Sequence, residues 1–236
     1  MEEQQFVEYL QHFGLGRQEA VVYQKLLIQG KCTGYEIAKE TGISRSNVYS
    51  ALAALVEKGA AYLVEESAKR YIPVNLEEFC DNALRRMKSE KEWMLMHLPR
   101  EKVEEEGYIT IEGMGNVRDK IRNLLDSVDE RVYFSATAKY LGQYAKELNR
   151  LLKNKKKVVL ITDHEIDCFP GALVYISEDK GSQIGIITDS KYVLTGEYGE
   201  ECMNTCLYSG QKNFVTLFKN ALANEIKLIQ KETDHE

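Results

Sequence analysis

The chain lacks any apolar run approaching the ~20 residues that a transmembrane helix needs, which excludes a helical membrane span and makes a membrane partner unexpected. It lacks a disulfide framework as well. Its five cysteines, Cys32, Cys80, Cys168, Cys202 and Cys206, are odd in number and scattered, a usage that fits a reducing compartment. The opening Met1-Glu2-Glu3-Gln4-Gln5 is acidic, the wrong sign for a secretory signal. A cytoplasmic location is therefore expected. Basic excess is also missing. Through residue 75, Glu2, Glu3, Glu8, Glu19, Glu36, Glu40, Glu57, Glu65 and Glu66 offset Arg17, Lys25, Lys31, Lys39, Arg45, Lys58, Lys69 and Arg70. A broad cationic surface of the kind that binds nucleic acid without selectivity is thereby excluded from this region. What remains is an ordinary globular composition, 44% hydrophobic and 29% charged, in 236 residues, enough for two compact domains with the first one small.

The richest local signals lie between Thr33 and Val74. Thr33 is placed to cap a helix, with Glu36 three residues on to close a capping box. The helix Tyr35–Glu40 stops at Thr41-Gly42, where glycine accepts a left-handed turn. Ser44 then caps a second helix, Arg45 to Lys58, ended by Gly59. Val48, Leu52, Leu55 and Val56 recur on it at three- and four-residue intervals and define an apolar face, with Tyr49, Ala51 and Ala53 alongside. Ile37, Ala38 and Ile43 supply matching contacts, and Glu19–Gln29 carries enough apolar residues for a third helix. After Gly59, Ala61–Glu65 and Arg70–Val74 read as two short strands around a polar turn, with Lys69 and Arg70 at its tip.

Helix, tight turn, helix and hairpin in this order form a winged helix-turn-helix, an arrangement that presents one helix to the DNA major groove. The face of the second helix left over from packing is Arg45, Ser46, Asn47 and Ser50, and it contains no carboxylate. Arginine reads guanine and asparagine reads adenine in the major groove, and the helix N-terminus capped by Ser44 offers amide groups to phosphate. The expected DNA-binding residues are Ser44, Arg45, Ser46, Asn47 and Ser50, with Lys69 and Arg70 on the wing. Winged helices also serve as protein-interaction modules, so a non-catalytic docking role is the competing reading.

These residues resemble the TrmB family of transcriptional regulators. The resemblance runs through Gly14-Leu15, Glu19-Ala20, Tyr23, Leu26-Leu27, Gly30 and Glu36-Ile37-Ala38, then Thr41 to Arg45, Val48-Tyr49, Leu52, Leu55, Lys58-Gly59 and Tyr71. The family tends to have a capping threonine where this chain has Gly16, itself a serviceable N-cap. Sugar-sensing members are longer, with a further ligand domain, so the resemblance carries no sugar effector to this chain.

Downstream, Leu76, Cys80, Leu84, Met87, Lys91, Met94 and Leu98 follow a mixed four- and three-residue rhythm that predicts a helix with a coiled-coil seam. A homodimer paired through it would place two reading helices about one DNA turn apart. The acidic run from Pro99 to Gly107 reads as a linker. The expected domains are residues 1–75 for DNA binding, 76–106 for connection and dimerisation, and 107–236 for regulation.

From Tyr108 strands and helices alternate. Strands are expected at Tyr108–Glu112, Arg131–Ala136, Lys157–Thr162, Leu173–Ile176, Gln183–Thr188 and Tyr192–Thr195. Helices are expected at Asn116–Val128, Lys139–Asn154 and Asn213–Gln230. The order predicts a mostly parallel sheet with an antiparallel part near Asp189, and an α+β class for the whole chain. The segment Gln183–Glu197 resembles the strand-turn-strand of the phospholipase D-like fold, a companion domain of TrmB relatives. Active members of that fold have His and Lys seven and five residues before the Asp. Here Ser182 and Ile184 stand there, so neither a nucleophile nor the phosphate-binding charge is carried over. No catalytic residue, metal or cofactor is therefore expected, and a phosphodiesterase is the weakest reading. The polar strand ends, Ser135, Thr137, Thr162 and Asp163, with Asp189 joining them, are read either as the grip for a small-molecule effector or as solvated loops. Asp163, His164, Glu165, Asp167 and Cys168 are too close in sequence to surround one metal, and Cys202 with Cys206 makes only half a metal site or a thiol sensor.

Overall fold

The computed structural model describes residues 2–65, 68–98, 107–177 and 180–233 and forms two compact units, Met1–Glu101 and Lys102–Glu236. The first begins with α1 (Glu2–His12), a helix that the sequence reading does not anticipate, followed by α2 (Arg17–Gln29). Then come a two-residue strand β1 (Cys32–Thr33), α3 (Gly34–Thr41), α4 (Arg45–Glu57), β2 (Ala61–Glu65), β3 (Lys69–Pro73) and α5 (Leu76–His97).

The local chemistry expected at the helix ends is present. The Thr33 N–H donates to Glu36 Oε2 at 2.7 Å, and the Glu36 N–H donates back to Thr33 Oγ1 at 3.3 Å. The Gly16 N–H donates to Glu19 Oε2 at 2.7 Å, so the glycine caps α2 with help from that carboxylate. Leu10, Leu15, Tyr23, Leu26, Ile37, Val48, Leu52 and Leu55 close a single core with Tyr71, Val74 and Phe79. Val56, expected in that core, is instead on the surface; Ala51 takes the inward place one turn earlier. The Tyr23 hydroxyl donates to the Val74 carbonyl at 2.8 Å inside this core, and its ring meets Phe79 edge-on at 5.3 Å. Phe79 and Ala83 thus anchor the start of α5 to the winged helix. Beyond them the seam residues Leu84, Met87, Met94 and Leu98 are all exposed. The linker expected from Pro99 to Gly107 lies outside the described residues except for Gly107.

The second unit contains β4 (Ile109–Glu112), α6 (Met114–Asp126), β5 (Arg131–Ser135), α7 (Ala138–Gly142), α8 (Ala145–Lys153) and β6 (Lys157–Thr162). It continues with β7 (Leu173–Ile176), β8 (Gln183–Thr188), β9 (Tyr192–Glu197), β10 (Thr205–Ser209) and α9 (Lys212–Thr233). The strands join in the order β4-β10-β9-β8-β5-β6-β7. Only β5 with β6 and β6 with β7 are parallel; the other neighbours are antiparallel. The expectation of a mostly parallel sheet is corrected by this pairing. The helix expected at Lys139–Asn154 is two helices, broken at Gln143-Tyr144, with Tyr144 wholly buried. Strand β10 begins at Thr205 and includes Cys206, while Cys202 lies in the loop before it.

One sheet face carries Val132, Phe134, Leu160, Ile184 and Ile186 against α6 and α8. The other carries Ile161, Ile187 and Val193 against Val215 and Leu222 of α9. Asp189 and Ser190 both take positive φ in the β8–β9 turn, which the Lys191 N–H closes by donating to the Thr188 carbonyl at 2.9 Å. The Asp189 carboxylate accepts from the N–H groups of Asp129, Glu130 and Arg131 at 2.8, 2.8 and 2.9 Å. Burial raises its pKa, but those three bonds together outweigh burial and leave it below its ordinary value of 3.8. The charged form is therefore favoured by folding, and its contribution is present above pH ~4 and lost as pH falls through the lower folded value. Asp189→Asn, which keeps a side chain tolerant of positive φ, is expected to cost about 1–2 kcal/mol at pH 7. In urea denaturation that gap should shrink towards zero at pH 3 and below; a gap independent of pH would refute the charge-based account.

Candidate nucleic-acid interface

Residues Gly34 to Glu57 build the surface from two helices and one turn. Gly42 occupies the left-handed region, φ 69°, and its N–H donates to the Ala38 carbonyl at 3.1 Å, ending α3. The Thr41 hydroxyl donates to the Ile37 carbonyl at 2.8 Å, which pins the other side of the turn. The Ser44 Oγ accepts from the Asn47 N–H at 3.4 Å, a long cap bond, and lies 3.2 Å from the Ser46 hydroxyl. Ser44 thus fixes where α4 starts.

Arg45, Ser46, Asn47, Tyr49 and Ser50 are all exposed, while Val48, Ala51 and Leu52 are buried behind them. The Arg45 guanidinium lies 4.4 Å from the centre of the Tyr35 ring on α3, a cation–π contact that limits its wandering. The Tyr49 ring packs against the start of α3, so close that a β-carbon at Gly34 would meet it at 2.7 Å. Sequence reasoning missed Tyr35, because the contact crosses the turn and follows no helical spacing.

Three carboxylates of the domain are engaged away from this face. Glu36 is spent on the Thr33 cap, Glu40 pairs with Lys25 at 2.5 Å, and Glu19 pairs with Lys58 at 2.6 Å. The Glu36 carboxyl is held below its usual range first by the Thr33 N–H and hydroxyl and, less strongly, by the Arg70 charge. Arg70 is therefore not a free tip residue. It lies in the central strand, opposite Val64 on one side and Thr33 on the other, and is half-buried. Lys69 is exposed opposite Glu65, and residues 66 and 67 lie outside the described residues. The short strand β1 escaped notice because its partner lies far along the chain.

The five residues read as an effector grip or as solvated loops do not form one site. Thr137 and Thr162 are buried, and the Thr162 hydroxyl is turned towards Asp163 at 3.2 Å. Asp163 accepts from the Ala138 N–H at 2.7 Å, which caps α7, and lies 3.1 Å from His164 Nδ1. Ser135 sits at the same end of the sheet but faces α9. Asp189 is at the opposite end of β5, next to Arg131. The Cys206 thiol is buried, which with the nearby Cys202 pushes it up to about 11, away from a reactive thiolate. Ile184, at the position of the missing lysine, is packed in the core. Among the described residues no three His, Cys, Asp or Glu side chains gather as metal ligands, and no helix is long and apolar enough to cross a membrane.

The first unit is a winged helix-turn-helix domain. Residues 10–77 match the family model described as sugar-specific transcriptional regulator TrmB. The chain is 25% identical over 165 residues to the uncharacterized protein YrhO of Bacillus subtilis (strain 168), across 68% of this chain and 59% of that protein. It is 26% identical over 168 residues to the HTH-type sugar sensing transcriptional regulator TrmBL1 of Pyrococcus furiosus, across 68% of this chain and 48% of that regulator. The chain thus spans about half to three-fifths of the curated relatives it matches. Among solved structures, it is similar to TrmBL2, an archaeal chromatin protein, with a TM-score of 0.44 and 20% identity over 95% of this chain and 98% of that one.

Proposed function

We propose that this protein is a sequence-specific DNA-binding transcription regulator that acts as a homodimer and is no enzyme. One observation carries the reading: α4 presents Arg45, Asn47 and Ser50 on an exposed, carboxylate-free face, with Arg45 held over Tyr35. Pre-ordering lowers the entropic cost of placing a guanidinium in the groove. Lys69 and Arg70 support it from the wing, the first towards phosphate and the second partly engaged by Glu36. The match of residues 10–77 to a family of transcriptional regulators supports the same reading. We place the DNA-binding part at residues 1–75, the dimerising connector at 76–106 and the regulatory part at 107–236. The exposed seam of α5 supports the dimer.

The test is selection of bound duplexes from a randomised pool by the full chain, followed by titration of the enriched sequence with Arg45→Ala, Asn47→Ala protein. Failure to enrich any sequence, or unchanged affinity in the variant, would refute recognition through this helix. Tyr35→Leu is expected to weaken the same titration only about three- to fivefold, the scale of one exposed cation–π contact. The variant should melt at the wild-type temperature, since Tyr35 is itself exposed.

A further inference from the structure

One helix cannot cover the sheet it lies on. Seven strands at ~4.8 Å spacing are roughly 30 Å across, against ~10–12 Å for a helix. Beside α9, over the starts of β5, β6 and β7, a cleft of 380 Å³ is left open. Val159 and Ile187 of the sheet and Leu222 of α9 line it with apolar surface, and the Tyr133 and Tyr175 rings line it too. Around it are Arg131, Lys157, Lys219 and Lys227, and no described acidic side chain lines it. Arg131 shares its charge with Glu130 at 2.9 Å, and Lys157 Nζ lies 5.9 Å from the Tyr133 ring centre. The ion pairs formed among the described residues leave Lys157, Lys219 and Lys227 without a carboxylate.

We propose that this cleft binds a small organic anion, one carboxylate or phosphate group on an apolar or planar body. Four like charges converging on one depression repel each other, and an anion relieves that repulsion where the apolar walls weaken solvent screening. The apolar lining takes up the body of the ligand and the tyrosine rings flank it, as in small-molecule sites of this size. The Asp189 turn shapes the entrance. It ties down the backbone at Asp129 to Arg131, so Arg131 enters the cleft from a fixed strand start, and Ser190 of the same turn lines the cleft beside it. The site rests on the regulatory reading only in calling its ligand an effector.

The probe is anilinonaphthalene sulfonate, titrated by fluorescence into the full chain without DNA, with neutral N-phenylnaphthylamine as its uncharged match. Saturable binding of one sulfonate per chain is expected. Lys219→Gln, Lys227→Gln should weaken it about tenfold while changing the neutral probe less than twofold. Both lysines are exposed, so the fold should survive, which circular dichroism checks, and Lys219→Arg, Lys227→Arg should retain binding. No saturable binding, equal binding by the Gln variant, or an equal loss of both probes would overturn the proposal. Displacement by a short oligothymidylate at stoichiometric concentration would overturn it too and assign the cleft to nucleic acid. DNA retention, scored separately, keeps the two readings apart: probe binding without DNA binding leaves the cleft standing, and the reverse leaves only the regulator.

Discussion

Met87→Glu, Met94→Glu protein is expected to be monomeric in size-exclusion chromatography with light scattering, and to bind its selected duplex at least 100-fold more weakly than wild type. Both methionines are exposed on α5, one turn or more beyond the buried Phe79 and Ala83 that fasten the helix to the winged domain. Their replacement removes nothing from a monomer's core, so the helical signal and melting of the first unit should persist. In a dimer paired along the seam, four carboxylates would instead face an apolar strip, where each unpaired buried charge costs several kcal/mol. The effect on DNA follows from linkage. Two tethered winged helices bind the second half-site at a high effective concentration, a gain of about 10²–10⁴ in affinity with no new contact. That gain matters here because the winged domain is near neutral, so few phosphate contacts are available to hold a single copy. A wild-type chain that is already monomeric at micromolar concentration, or a variant that binds DNA as tightly as wild type, would refute the α5 dimer.

Where the sequence was legible, the signal was local. Thr33 with Glu36, Gly16 with Glu19, and Ser44 with Asn47 are each three residues apart, and each pair meets as its spacing predicts. Strands β6, β7 and β8 stand at their expected bounds because their apolar runs are bracketed by polar turns. What failed was non-local. Strand β1 exists only because Cys32 and Thr33 meet Tyr71 and Arg70, which also moves Arg70 from a tip to the middle of a sheet. The direction of strand pairing is set by which strands become neighbours, and β10 inserts between β4 and β9 without any local sign of it. The same holds for the sites. Asp189 looked like an effector ligand by its company in sequence, yet its turn returns to the start of β5, about 13 Å from the strand's other end, where Thr162 and Asp163 lie. Lys219 and Lys227 are two turns apart on α9 and meet Arg131 and Lys157 only because Leu222 and Val215 dock that helix on the sheet.

Arg45→Ala, Asn47→Ala protein is expected to lose at least 100-fold in affinity for the selected duplex while falling only a fewfold in affinity for an unrelated one. A good bidentate contact to a base discriminates by about 1–3 kcal/mol. One such contact from each of Arg45 and Asn47 at the low end, counted over both subunits of a dimer, gives about 4 kcal/mol, more than 100-fold. Both side chains are exposed, and the Asn47 link to Ser44 is made by its backbone N–H, which alanine keeps. The cap of α4 and the buried Val48 and Leu52 are therefore untouched, so loss of binding cannot be charged to unfolding. Two features separate recognition from simple charge loss. The slope of affinity against salt should fall by only about two for the dimer, one phosphate-scale contact per lost Arg45, leaving the remaining salt dependence intact. Asn47→Ala alone removes no charge, so it should leave the slope unchanged and relax the preference at one base position in each half-site. A uniform loss across all duplexes, with no base position relaxed, would instead make the α4 face a phosphate-holding surface and put sequence reading elsewhere.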